Sequence, residues 1–288
     1  MCCKTTSKPH IIGSNHIGGH RRDDSILEPE MTGKVLAKYR GCSGLPIDTA
    51  AWKRAIPYKP GEIDYDQPAK QMIRLTPETA DYLYSDYTPL ETHYEPGTRP
   101  KLERFVEMVA SRAKSDREKA LAVLKWTYRR ASFPGRFRQD LRVVGGTEED
   151  LIERGFTYCN EISRVFVTLC QVAGVPARMT FHWTRCGRFG HSCAEAHFDG
   201  KWQLCDTEIN VTGSSVRGMK ANCWDLMRKK SVQRAFDRTV TRQQLNHLGL
   251  TDPGMHYSDC FKLVGICNYP VEKFPYKTRA AHSTGPYL

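Results

Sequence analysis

The sequence predicts an α+β fold, and three observations carry that expectation: an apolar helix that opens on Cys159, a strand-period run directly after it, and a two-residue turn joining two further strands. In the stretch from Cys159 to Ala173, Ile162, Val165, Phe166, Leu169 and Val172 recur at helical spacing, and Gly174 with Pro176 supplies a stop. Met179, Phe181 and Trp183 then alternate with Thr180, His182 and Thr184, the period of a strand with one buried face. The run His191 to Phe198, the dipeptide Asp199-Gly200 and the run Lys201 to Asp206 have the form of a hairpin, because Asp-Gly suits a turn whose central residues both take positive φ.

The elements before this block are less regular. Residues 1–31 are polar, with His10, His16 and His20 following Cys2 and Cys3, and have no periodicity that buries a face, so a mobile tail is expected. The His and Cys spacings there match no standard zinc pattern. Residues 32–99 are rich in Pro and Tyr, with short runs such as Gln71 to Leu75 that suit a strand, and form an extension of unclear fold. Helical spacing begins near Arg99 with Leu102, Phe105, Val106 and Val109. Ser115 with Glu118 announces a second helix carrying Leu121, Leu124 and Tyr128, and Thr147 with Asp150 a short third one before Gly155. The core is expected over residues 100–210. Residues 211–288 form a C-terminal extension with a basic helical stretch around Cys223 to Phe236 and a tail whose role is not legible.

Composition narrows the function. The chain has 288 residues, 26% charged and 40% hydrophobic, an ordinary globular balance. No apolar run approaches the roughly 20 residues that cross a bilayer, and the first thirty residues lack the apolar stretch of a secretory signal, so a cytoplasmic location without a transmembrane segment is expected. Eleven cysteines is an odd number, which fits mostly reduced thiols. The net charge of +11 would suit an anionic partner, but Lys and Arg are scattered among Asp and Glu with no aromatic-interleaved basic strip, which argues against a nucleic-acid partner.

The chemistry concentrates at three residues. A thiol attacks as its thiolate, and the start of a helix favours negative charge, so Cys159 sits where a nucleophile is helped and where backbone amides can hold an oxyanion. If Phe198 pairs with Lys201, Cys193 lies opposite Asp206, and His191 becomes a diagonal neighbour of Asp206 on one sheet face. A carboxylate then fixes the imidazole that takes the thiol proton. A shifted register would instead bring in His197, on the same face. Cys186, Cys193 and Cys205 fit no zinc spacing, Cys170 and Trp126, Trp183 and Trp202 suit the core, and Glu195 suits a brace for Arg178.

The segment from Gly155 to Asp206 resembles the transglutaminase-like superfamily of papain-like thiol enzymes in two blocks. The first is Gly155, Cys159, Asn160, Glu161, the apolar helix and Ala173-Gly174-Val175-Pro176-Ala177-Arg178. The second is His191-Ser192-Cys193-Ala194-Glu195, then Asp199-Gly200-Lys201-Trp202 and Asp206. The resemblance implies a papain-like core with Cys159 as nucleophile, His191 as general base and acid, and Asp206 as its orienter. Departures are Cys193 where the family usually has tryptophan, Thr207-Glu208 where it usually has proline-threonine, and no clear counterpart between Phe133 and Tyr158 of the tryptophan that helps hold the oxyanion in animal transglutaminases.

No calcium loop and no paired zinc motif is present, so the reading calls for no cofactor and no metal. The expected activity is acyl transfer from a peptide, protein or small amide or ester substrate, with hydrolysis preferred over transfer to an amine. A scaffold that keeps the three residues as packing is the competing class, and oligomeric state is not legible.

Overall fold

The structure is a computed structural model and describes residues 72–84, 94–131, 147–155, 159–184, 190–216 and 218–267. In chain order they form β1 (Met72–Arg74), α1 (Pro77–Tyr84), α2 (Pro100–Ala110), α3 (Asp116–Ala131), α4 (Glu148–Arg154), α5 (Cys159–Val172), β2 (Ala177–Trp183), β3 (Gly190–Phe198), β4 (Lys201–Asp206) and β5 (Val211–Thr212). After these come α6 (Cys223–Arg228), α7 (Lys230–Thr239), α8 (Arg242–His247), a 3-10 helix (Tyr257–Phe261) and β6 (Leu263–Cys267). The six strands make one antiparallel sheet in the order β1-β6-β2-β3-β4-β5. Helices plus an antiparallel sheet, with Cys159 opening the helix that packs on it, make an α+β fold.

Local chemistry sets the boundaries. Thr147 and Asp150 form a reciprocal capping box at the start of α4. Ser115 accepts from the Glu118 amide as expected, but the Glu118 carboxylate reaches one residue further and accepts from the Lys114 amide. Helix α5 ends on Gly174 at φ 80°, where Val175 N–H donates to Cys170 O and Gly174 N–H to Gln171 O, the paired bonds that satisfy the last carbonyls. At the hairpin, Asp199 (φ 54°) and Gly200 (φ 74°) both take positive φ, and Phe198 pairs with Lys201, the register expected from the turn.

Two cores lie on opposite faces of the sheet. One holds Leu102, Val123, Leu124, Leu151, Val165, Phe166 and Leu169 from α2 to α5 against Met179, Phe181, Ala194, Ala196 and Phe198. The other holds Leu83 from α1 and Leu226, Phe236 and Leu245 from α6 to α8 against Cys193, Leu204, Val264 and Ile266. This second core corrects one expectation. The alternation in sequence predicts one buried face for β2, yet every residue from Ala177 to Trp183 is buried, because β2 lies between β3 and β6 with helices on both sides. Its polar residues survive there by pairing: His182 Nε2 is 2.7 Å from Thr180 Oγ1. Among the described residues, no helix is long and apolar enough to cross a membrane.

Candidate active site

Helix α5 is buried almost all round, from Glu161 to Gln171, and Cys159 is its half-buried first residue. One turn further in, Ser163 Oγ donates to Ser192 O at 3.0 Å and lies 3.2 Å from Thr207 Oγ1. These are the residues next to His191 and Asp206, so a single serine ties the start of the helix to both strands that carry the expected site. The buried Glu148 steadies α5 from the other side, pairing with Arg164 at 3.0 Å and with Arg99, the residue before α2, at 2.6 Å.

His191 Nε2–H donates to Asp206 Oδ2 at 3.0 Å, as the diagonal relation predicts. Asp206 is fully buried and takes two further bonds: Tyr257 O–H donates to the same Oδ2 at 2.8 Å, and Glu208 N–H donates to Oδ1 at 3.1 Å. On the other side of the imidazole, Nδ1 lies 3.6 Å from Glu208 Oε2. Cys159, His191 and Glu208 each place a ligand atom within 4.8 Å of the others, and Cys159 shares a hydrogen bond with the imidazole.

The electrostatics follow from this packing. Burial opposes the charge on His191, but the neighbouring Cys193 and Asp206, with the hydrogen bonds from Asp206 and Cys159, outweigh it, and the imidazole is held protonated well above its ordinary range. Burial pushes the Cys193 thiol far up, so Asp206 supplies the charge at neutral pH. Burial would raise Asp206 too, yet attraction to His191 and the bonds from His191, Tyr257 and Cys193 keep it below the usual carboxylate value. Glu208 is raised, chiefly by burial and also by Asp206, against the pull of His191 and His247. His182, cross-strand partner of His191, is pushed well down by burial and by the charge of His191, so it is neutral.

All three residues expected from the sequence therefore meet at one point, with the thiol on one side of a buried imidazole and the carboxylate on the other. Such a set can deprotonate the thiol, hold the resulting pair, and return the proton to a leaving group. His197 lies off this point, edge-on to Trp202 with ring centroids 5.5 Å apart. Cys170, Cys193 and Cys205 are buried thiols, and Cys186 lies outside the described residues, as does most of the stretch from Phe133 to Tyr158. Glu195 does brace Arg178: Oε2 accepts from Nε and Nη2 at 2.9 and 2.8 Å, and Oε1 accepts from Tyr84 O–H and Cys223 N–H.

Two residues at the site escaped the sequence reading. Glu208 was visible only as a departure from the family pattern two residues after Asp206. Tyr257 lies 51 positions downstream of Asp206 in a segment without periodicity, and no local signal marks it.

Residues 103–207 match the sequence profile of the transglutaminase-like superfamily, so this stretch of the chain is similar to that superfamily's core. It runs from α2 to the residue after Asp206. No curated protein matches the chain significantly. Among solved structures, a candidate cysteine protease from Cytophaga hutchinsonii is 20% identical, with 42% of this chain and 40% of that one covered at a TM-score of 0.30. A protein described as a TGase is 21% identical, with 43% of this chain and 32% of that one covered at a TM-score of 0.29. The aligned part spans less than half the length of either structure.

Proposed function

We propose that the chain is a cysteine-dependent acyl-transfer enzyme acting on an amide or ester carbonyl, with Cys159 as nucleophile, His191 as general base and acid, and Asp206 as the residue that orients the imidazole. The observation that carries this reading is the position of His191, bonded through Nε2 to a buried carboxylate while its other side meets Cys159.

His191 holds the proton taken from Cys159 Sγ, and the sulfur attacks the carbonyl carbon. The oxyanion of the tetrahedral adduct is met by backbone amides at the start of α5. As the adduct collapses, His191 passes its proton to the leaving amine or alcohol and a thioester remains. Water then attacks the thioester, His191 takes the proton, and the acid product leaves as Cys159 is released. Hydrolysis, as a peptidase or amidase, is the preferred outcome. Transfer to an amine shares the first half-reaction and differs only in the acceptor. The seven cysteines among the described residues, Cys159 with them, are free thiols.

The test is the pH dependence of iodoacetamide labelling at Cys159, followed by peptide mass spectrometry in the native chain and in His191→Ala. Cys159 is expected to label well below the pH at which a free thiol ionises and to lose that advantage in the variant. Labelling no faster than at the other cysteines in the native chain would leave the scaffold reading in its place.

A further inference from the structure

We propose that Cys159, His191 and Glu208 form a zinc site whose occupation switches the thiol off. Binding stands on the geometry alone, whereas the inhibitory consequence rests on the acyl-transfer reading given above.

The donors are a thiolate sulfur, an imidazole nitrogen and a carboxylate oxygen, the set that zinc takes, and they come from three places in the fold: the first residue of α5, β3, and the turn after β4. With zinc–ligand distances of about 2.0 to 2.3 Å, tetrahedral coordination puts its ligand atoms roughly 3.3 to 3.6 Å apart. His191 Nδ1 and Glu208 Oε2 are already 3.6 Å apart, and all three donor atoms lie within 4.8 Å of one another. Little movement is needed to close them on an ion.

The surroundings suit a ligand set as well as they suit a triad. A histidine that binds zinc through one nitrogen usually donates its other N–H to a carboxylate, which fixes the tautomer. His191 donates Nε2–H to Asp206, so the nitrogen left for a metal is Nδ1, the one that faces Glu208. Asp206 is itself held by Tyr257 and by the Glu208 amide. Glu208 is oriented from its far side, where Oε1 lies 3.6 Å from His247 Nε2. Three protein ligands leave a fourth position for water. A second cluster, His191 with Cys193 and Asp206, is fully buried and has its carboxylate committed to Tyr257 and His191, so it offers no comparable entry.

On binding, the single proton shared between the Cys159 thiol and His191 passes to solvent, sulfur and Nδ1 each donate a lone pair to the ion, and no electron changes hands. The sulfur lone pair that would attack a carbonyl is then occupied. Glu208 makes this a site rather than a thiol–imidazole pair, and it stands where the related family has threonine after proline.

The experiment uses the reduced full-length chain with Zn2+ or Co2+ as the probe. X-ray absorption of the equimolar zinc complex of the native chain is expected to show one sulfur at about 2.3 Å and nitrogen or oxygen ligands at about 2.0 to 2.1 Å. Two or more sulfurs would place the metal among other cysteines and overturn the proposal. The sulfur-to-cobalt charge-transfer band is expected to vanish in Cys159→Ala, and the zinc affinity from competition with a chromogenic chelator to fall at least about tenfold in Glu208→Gln. Bands and affinity unchanged in both variants would overturn it equally. Zinc should also protect Cys159 from iodoacetamide in the native chain. If Cys159 shows no fast labelling without metal while the one-sulfur site persists, the enzyme reading fails and the metal site stands.

Discussion

Replacing Asp206 by asparagine preserves volume and removes the charge beneath His191. Asp206 accepts two bonds at Oδ2 from His191 and Tyr257 and one at Oδ1 from the Glu208 amide, besides its contact with the Cys193 thiol, whereas an asparagine has one oxygen. The better orientation keeps that oxygen toward His191 and Tyr257 and sets its NH2 group against the Glu208 amide. One donor is then left opposed, at about 1 to 3 kcal/mol, and two bonds to a charged acceptor become neutral, at about 1 kcal/mol each. The expected loss is about 3 to 5 kcal/mol at neutral pH, measured by urea unfolding.

The loss should depend on pH in a definite sense. Asp206 is held below its ordinary value, so the stability it contributes is present above the carboxylate range and is lost as pH falls through its folded pKa. His191 is held above its ordinary value, so its contribution is present below the imidazole range and is lost as pH rises through its folded pKa. The native chain and Asp206→Asn should therefore differ most between those limits and converge toward acid. With the carboxylate gone, the imidazolium that pairs with Cys159 loses its support, and labelling near neutral pH should slow about tenfold or more, each 1.4 kcal/mol being a factor of ten. Stability curves that stay parallel at all pH, together with unchanged labelling, would refute the claim that Asp206 poises the thiol through His191.

Three further outcomes follow from single contacts. Tyr257→Phe removes one donor from Asp206 Oδ2 and should cost about 1.5 to 3 kcal/mol in urea unfolding, with acid unfolding beginning at higher pH because that bond helps to keep Asp206 low. Arg178→Met leaves the buried Glu195 with only Tyr84 O–H and Cys223 N–H, and about 3 to 5 kcal/mol should be lost; combining it with Glu195→Leu should recover part of that, since the lone charge is then gone. In Gly213→Ala the new Cβ would lie 2.1 Å from the backbone oxygen of Ala221, which also accepts from Leu204 N–H, so the backbone at residue 213 or 221 must shift and the melting temperature should drop by an amount matching about 1 to 3 kcal/mol or more.

What could be read in the sequence was what short-range chemistry decides. The helix from Cys159 was legible because apolar spacing and the Gly174 stop act within a few residues. The hairpin was legible because Asp199-Gly200 fixes a turn, and the turn fixes the register that sets His191 diagonal to Asp206. The alternation in β2 misled because it reports side-chain polarity, not burial. Thr180 and His182 could be placed outward or bonded to each other inside, and only the second core on that face decides between them. That core is built from residues beyond position 211 together with α1, and its sheet partner β6 enters between β1 and β2 from about 80 residues downstream of β2. A five-residue apolar strand carries no signal of where it will pair.

The same long-range closure supplies Tyr257, so the site itself is only partly written in the segment that resembles the superfamily. That segment contains the thiol, the imidazole and the carboxylate, but one of the bonds that help His191 to keep the carboxylate charged in a buried place comes from the 3-10 helix just before β6. Its ring packs on Phe236 of α7 and on Phe261, with centroids 5.9 and 5.1 Å away, so the electrostatics of His191 are coupled to the packing of the second core. Core substitutions at Phe236 act on the thiol pair through Tyr257 and Asp206 without touching either reactive residue, a dependence that motif spacing cannot express.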